Sequence, residues 1–234
     1  MTELIVALDL PSVADALDLV DRLRPVSWFK VGAPLYTRGG AEDIRALQQR
    51  DKHVFLDLKF HDIPNTVARA VEAAAELGVD LLTLHASGGS TMLRAARDAN
   101  GPDGPKLLGV TLLTSFSAAD VEEVWAKEPR SVRDEVARLA ALAATAGMDG
   151  VVASALEAEA LKRRYGPDFL VVTPGIRPAG DLPGDQMRTA TPAEAIRAGA
   201  DFIVVGRPII AAPDPAAAAE AMLAEMAAAA NEAG

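Results

Sequence analysis

The 234 residues contain no cysteine, which excludes disulfides, thiolate nucleophiles and any metal site built on sulfur. The three histidines, His53, His61 and His85, are scattered and form no His-x-x-x-His pair, so no metal is expected. Aromatic residues make up only 4 % of the chain, while half of it is hydrophobic, mostly alanine and aliphatic residues suited to helices packed on strands. An excess of positive charge is missing too. The net charge of −10 argues against a general nucleic-acid binder, which would show a basic face. No apolar run reaches the roughly 18 residues of a membrane span. The N-terminus, Met1-Thr2-Glu3, runs into a strand-like segment with no basic n-region or signal-type apolar core. These absences lead to the expectation of a cytoplasmic protein with no membrane and no nucleic-acid partner.

What is present is a regular alternation of elements. Leu4–Leu8 reads as a buried parallel strand closing on Asp9, and Pro11 and Ser12 open a helix over about residues 13–24. Further strands are predicted at 28–32, 53–59, 80–85, 107–113, 150–153, 169–173 and 202–205. Helices are predicted near 39–50, at 66–77 ending on Gly78, after Gly88-Gly89-Ser90, at 131–146, after strand six, at 192–198 and at 214–231. A polar insert lies near 117–129, and a Gly/Pro-rich loop runs from Pro174 to about Thr191. Eight strand-like runs alternate with eight helix-like segments, at about 29 residues per unit. Such alternation implies a parallel sheet, and eight units in one chain of this length imply a closed (β/α)₈ TIM barrel spanning residues 1–234 as a single domain. The rival, an open doubly wound sheet, would want a Gly-x-Gly-x-x-Gly turn after strand one, where this chain has Asp9-Leu10-Pro11-Ser12.

The third strand carries the chemistry. It runs into Asp57-Leu58-Lys59-Phe60-His61-Asp62-Ile63-Pro64-Asn65-Thr66. Residues two apart on a strand point to one side, so Asp57 and Lys59 share a side at its C-terminal end, with Asp62 one short turn later. An isolated Asp-x-Lys is usually only a structural ion pair. Here two carboxylates around one ammonium sit on an element that reads as buried, where the charges must pair with one another. Opposite charges favour the charged form, so Lys59 suits work as an acid or a fixed cation. In barrel enzymes the site lies at the C-terminal ends of the strands. Asp9, Lys30, Asp57, Lys59, Asp62, His85, Thr114, Arg177 and Arg207 all share that address. Phosphate-binding loops often follow strands seven and eight. Those loops offer Pro174-Gly175-Ile176-Arg177-Pro178, Gly184-Asp185-Gln186-Met187-Arg188 and Gly206-Arg207-Pro208, and the segment 175–190 is long enough for a lid.

With these motifs, Ala7-Leu8-Asp9, Phe29-Lys30-Val31-Gly32 and Leu113-Thr114-Ser115, the chain resembles the bacterial, monofunctional orotidine 5′-phosphate decarboxylases over essentially its whole length. The resemblance implies conversion of orotidine 5′-phosphate to UMP and CO₂, the last step of de novo pyrimidine synthesis, with no cofactor. It makes Lys59 the proton donor to C6 and Asp57 the carboxylate set against the substrate's own. Asp9 and Lys30 would bind ribose hydroxyls and complete the charge network. Asp62 and Thr66 would reach the neighbouring site of a homodimer. Thr114 would face the pyrimidine edge, and Arg177, Gln186, Gly206 and Arg207 would hold the phosphate. The alternative is a magnesium-dependent sugar-phosphate decarboxylase or synthase of the same barrel group, such as 3-keto-L-gulonate 6-phosphate decarboxylase. A metal site would prefer a carboxylate where strand two offers Lys30. A phosphate-ligand sensor without turnover is a further possibility that intact catalytic residues argue against.

Overall fold

The computed structural model describes residues 2–125, 131–178 and 188–233. Eight parallel strands form a closed barrel in chain order. They are β1 (Glu3–Ala7), β2 (Trp28–Gly32), β3 (His53–Phe60), β4 (Leu81–His85), β5 (Lys106–Val110), β6 (Gly150–Val152), β7 (Leu170–Thr173) and β8 (Phe202–Val205). The ladder closes where Glu3–Val6 pair with Phe202–Val205.

The strands read as unbroken apolar runs because both of their faces are buried. Leu4, Val6, Phe29, Val31, Val54 and Leu56 face outward into a core shared with the helices. Ile5, Ala7, Phe55, Leu81, Leu108, Val172 and Val204 pack against one another as a separate inner cluster. Trp28 and Phe202 join its lower end, with ring centroids 4.9 Å apart. Followed upward by two, the inner rows run from apolar packing into polar groups: Ile5, Ala7, Asp9; Trp28, Lys30; Phe55, Asp57; Leu81, Thr83. The same alternation that fills the barrel thus delivers the charges to its C-terminal mouth.

At the opposite end, three aspartates tie neighbouring strands together. Asp80, Asp149 and Asp201 accept hydrogen bonds from the backbone amides of Val54, Leu107 and Val171 at 2.8, 2.9 and 2.7 Å.

The helices are α1 (Val13–Arg22), α2 (Ala33–Gly39), α3 (Ala41–Gln48), α4 (Pro64–Glu76), α5 (Gly89–Ala99), α6 (Ala118–Trp125), α7 (Val132–Thr145), α8 (Ala155–Tyr165), α9 (Pro192–Arg197), α10 (Arg207–Ile210) and α11 (Pro215–Ala233). Side-chain caps start several where expected: Ser12 for α1, Ser131 for α7, Ser154 for α8, and a capping box of Thr191 with Glu194 for α9.

Three expectations need correction. The helix expected near 39–50 is α3, and a further helix, α2, precedes it over Ala33–Gly39, the two meeting at Gly40 with a φ of 64°. The insert near 117–129 contains α6, started by Ser117 and Asp120 in mutual hydrogen bonds, while residues 126–129 lie outside the described residues. Strand five stops at Val110 rather than Leu113, and Thr111 turns its hydroxyl onto the Val152 carbonyl at 2.8 Å.

Candidate active site

A cavity of about 600 Å³ opens at the C-terminal mouth. One side of its floor is a chain of alternating charges on three adjacent strands. The Lys30 ammonium lies 3.1 Å from Asp9 and 3.6 Å from Asp57. The Lys59 ammonium lies 2.8 Å from both carboxylate oxygens of Asp57. The side chains of Lys30 and Asp57 are each only 11 % exposed, whereas those of Lys59 and Asp9 are 35 % and 48 % exposed, so Lys59 is the ammonium presented to a ligand. Gly32 belongs to this arrangement, because a Cβ there would sit 2.9 Å from the Lys30 ammonium and 3.3 Å from Asp9.

Burial alone would push the Asp57 carboxyl up. The ammoniums of Lys30 and Lys59, with hydrogen bonds from Lys59 and Thr83, overcome this and hold it below the usual carboxylate range.

The expected flat strand end is not what brings Asp57 and Lys59 together. The pairing of β3 with β4 shifts register between Leu56 and Phe60, and Lys59 adopts a φ of 50°. The side chain of Lys59 consequently folds back over Asp57. Thr83, on the inner row of β4, sits against this bulge with its hydroxyl on both residues.

The adjoining wall, on the β7 and β8 side, is suited to an anion. Gly206 caps α10, and Arg207 and Arg177 line the same cavity. A Cβ on Gly206 would meet no protein atom closer than 3.7 Å, so a side chain there would occupy ligand space rather than clash with the fold. Thr114 and Ser115 contribute the loop after β5.

Of the residues singled out in the sequence, Asp9, Lys30, Asp57, Lys59, Thr114, Arg177, Gly206 and Arg207 line the cavity. Asp62 and Thr66 do not. Both are exposed beside Ile63, which is itself 67 % exposed, and Asp62 turns back onto the amide of Ile63. His85 also lies off the lining. Its ring packs 5.4 Å from that of His61, and burial, His61 and Lys59 outweigh Asp57 to lower its pKa. Gln186 lies outside the described residues.

Arg188, read in the sequence as part of a phosphate loop, has a different partner. Its guanidinium sits 3.1 Å from Glu157 on α8 and donates to the carbonyls of Leu112 and Leu113 at 3.2 Å. Sequence reasoning overlooked Thr83 and this buried pair, and named Gly32 within a motif without giving it a role. Among the described residues, no group of three or more histidine, aspartate or glutamate side chains is arranged to hold a metal ion.

The comparisons with known proteins converge. A family model described as orotidine 5′-phosphate decarboxylase / HUMPS family matches residues 2–222. The chain belongs to that family. It is 50 % identical over 234 residues to an orotidine 5′-phosphate decarboxylase of Moorella thermoacetica, covering 96 % of this chain and 92 % of the relative. It is 51 % identical over 217 residues to one of Vibrio cholerae, covering 91 % and 93 %. A crystal structure of the Lactobacillus acidophilus orotidine 5′-phosphate decarboxylase superposes with a TM-score of 0.82 at 40 % identity, covering 97 % of this chain and 99 % of that one. The closed barrel is therefore a fold this chain shares with a solved member of the family.

Proposed function

We propose that this chain decarboxylates orotidine 5′-phosphate to UMP and CO₂ without a metal ion, as the last step of de novo UMP synthesis. The observation that carries the reading is the Lys59 ammonium, held on the buried Asp57 in a cavity whose β7–β8 wall suits a phosphate. The relatives' shared name supports it.

The chemistry makes the arrangement intelligible. Loss of CO₂ from C6 leaves a carbanion in the plane of the ring, with no π system to delocalise it. A fixed ammonium beside C6 stabilises that charge as it forms and then delivers the proton. Lys59 has that role. Asp57 stands against the substrate carboxylate, and charge repulsion is relieved as CO₂ departs. Asp9 and Lys30 bind the ribose hydroxyls, and Thr114 meets the pyrimidine edge. Arg177, Gly206 and Arg207 hold the phosphate together with Gln186. Their remote binding energy serves to orient the ring over Lys59. In this reading the chain is one catalytic barrel over residues 1–234. It works in the cytoplasm as a homodimer, with Asp62 and Thr66 reaching the partner's site. Their exposure beside Ile63 supports that part.

A spectrophotometric assay with orotidine 5′-phosphate in the presence of EDTA tests the reading. Conversion to UMP at undiminished rate is expected. No conversion with EDTA, but magnesium-restored activity on a 3-keto sugar phosphate, would move the chain to the metal-dependent branch and make Asp57 and Asp62 metal ligands.

A further inference from the structure

We infer that Thr83 is a positioning residue, whose hydroxyl sets both the backbone turn at Lys59 and the orientation of the Asp57 carboxylate. Thr83 is fully buried on β4 and its Oγ1 faces two groups of β3 at once. The Lys59 backbone amide lies 2.9 Å away and the Asp57 Oδ1 lies 3.0 Å away. An amide can only donate and a carboxylate can only accept, so the hydroxyl accepts from Lys59 and donates to Asp57. Each of its roles is fixed by the partner's chemistry.

The place where this occurs gives it significance. The register of β3 against β4 shifts between Leu56 and Phe60, so the amide of Lys59 is lost from the regular ladder. The bulge leaves a half-buried N–H in need of an acceptor, and Thr83 supplies one. Lys59 at the same point holds a φ of 50°, a conformation that a lysine keeps only when its surroundings enforce it. That backbone turn folds the ammonium onto both oxygens of Asp57 at 2.8 Å. A valine would match the shape of Thr83 and satisfy neither neighbour.

The inference rests on the decarboxylase reading for its kinetic consequences, and on the bulge alone for its structural ones. Thr83 does not line the cavity, and the anion-binding wall of Gly206 and Arg207 lies on other strands. Loss of the hydroxyl should therefore lower kcat and leave KM nearly alone. It should also shift the acid limb of kcat. Asp57 is faced by Lys30 from β2, by Lys59 on its own strand, and from β4 by Thr83 and by His85, which senses it, while Asp9 acts through Lys30. The substitution removes the Thr83 bond directly and, through the lost turn, loosens the Lys59 pair, and both of these favour the ionised carboxylate.

The test compares the unaltered chain, Thr83→Val and Thr83→Ser with orotidine 5′-phosphate across pH, with a crystal structure of Thr83→Val. The valine variant should lose ~10- to 100-fold in kcat with KM within about 3-fold, and its acid limb should move to higher pH. The serine variant should recover most of kcat. In the crystal, Lys59 should leave the left-handed region. Should Thr83→Val not fold, as judged by circular dichroism, Thr83→Ala carries the same expectations. A valine or alanine variant with kcat and acid limb unchanged would overturn the inference, as would a serine variant as impaired as valine. If the unaltered chain does not turn over the substrate, the activity reading fails instead, and the conformation of Lys59 in the variant crystal decides the positioning role by itself.

Discussion

Lys59 concentrates most of the site's constraints in one residue. A non-glycine residue in the left-handed region gives up about 1–2 kcal/mol relative to its ordinary conformations, and here the return is an ammonium fixed on a buried carboxylate. Removing the amine should remove both the electrostatic and the proton-donating contributions. Lys59→Ala is expected to lower kcat by at least ~10⁴-fold, while UMP binding by calorimetry stays measurable because the anion wall is untouched. Turnover near that of the unaltered chain would end the assignment. The Asp-x-Lys-x-x-Asp spacing was readable because charges on an apolar strand have few explanations. Thr83 was not, because threonine is an ordinary strand former and its partners arise only from the bulge between two strands. Asp62 could be singled out too, but its exposed side chain does not line the cavity, and a role for it belongs to the proposed homodimer.

The strands were legible as elements because burial on both faces leaves unbroken apolar runs. The helices were legible at their caps and less so elsewhere: Gly39-Gly40 marks where α3 begins, but α2 before it is a seven-residue helix with no side-chain cap. Close approach between elements is likewise hidden in sequence. Gly150 opens β6 opposite Leu170 of β7. A Cβ at Gly150 would lie 2.2 Å from the Leu170 carbonyl oxygen, so the ladder itself would have to shift. Gly150→Ala should therefore cost ~2–3 kcal/mol in urea unfolding. A loss under about 0.5 kcal/mol would mean the β6–β7 pairing relaxes freely. The buried Arg188–Glu157 pair acts between elements in the same sense, tying the end of the β7–α9 connection to α8 and to the loop that carries Thr114. Its partners are 31 and about 75 residues apart in sequence, which is why no local pattern revealed it.

Across the whole molecule, buried carboxylates pull stability in opposite directions as pH falls. Asp57 has its folded pKa depressed, so the stability it contributes is fully present above the unfolded value of about 3.9 and is lost as pH falls through the folded one. Glu157 and Asp43 are the reverse. Burial raises Glu157 against the pull of Arg188 and Arg133, and burial raises Asp43, whose Oδ2 has no hydrogen-bond partner. Each costs stability above its raised folded pKa, and that cost is relieved as the pH falls back toward the unfolded value. With a net charge of −10, mild acidification also reduces self-repulsion. The urea midpoint should accordingly hold or rise from pH 7 toward about 4.5 and then fall below about 3.9. In Asp57→Asn the fall below about 3.9 should be shallower, since the depressed group is gone. An acid limb identical in both proteins would assign that loss to other carboxylates. The two lysines that depress Asp57 are the ones set to meet the substrate. The charge network that gives the site its chemistry is thus also a source of the barrel's sensitivity to acid.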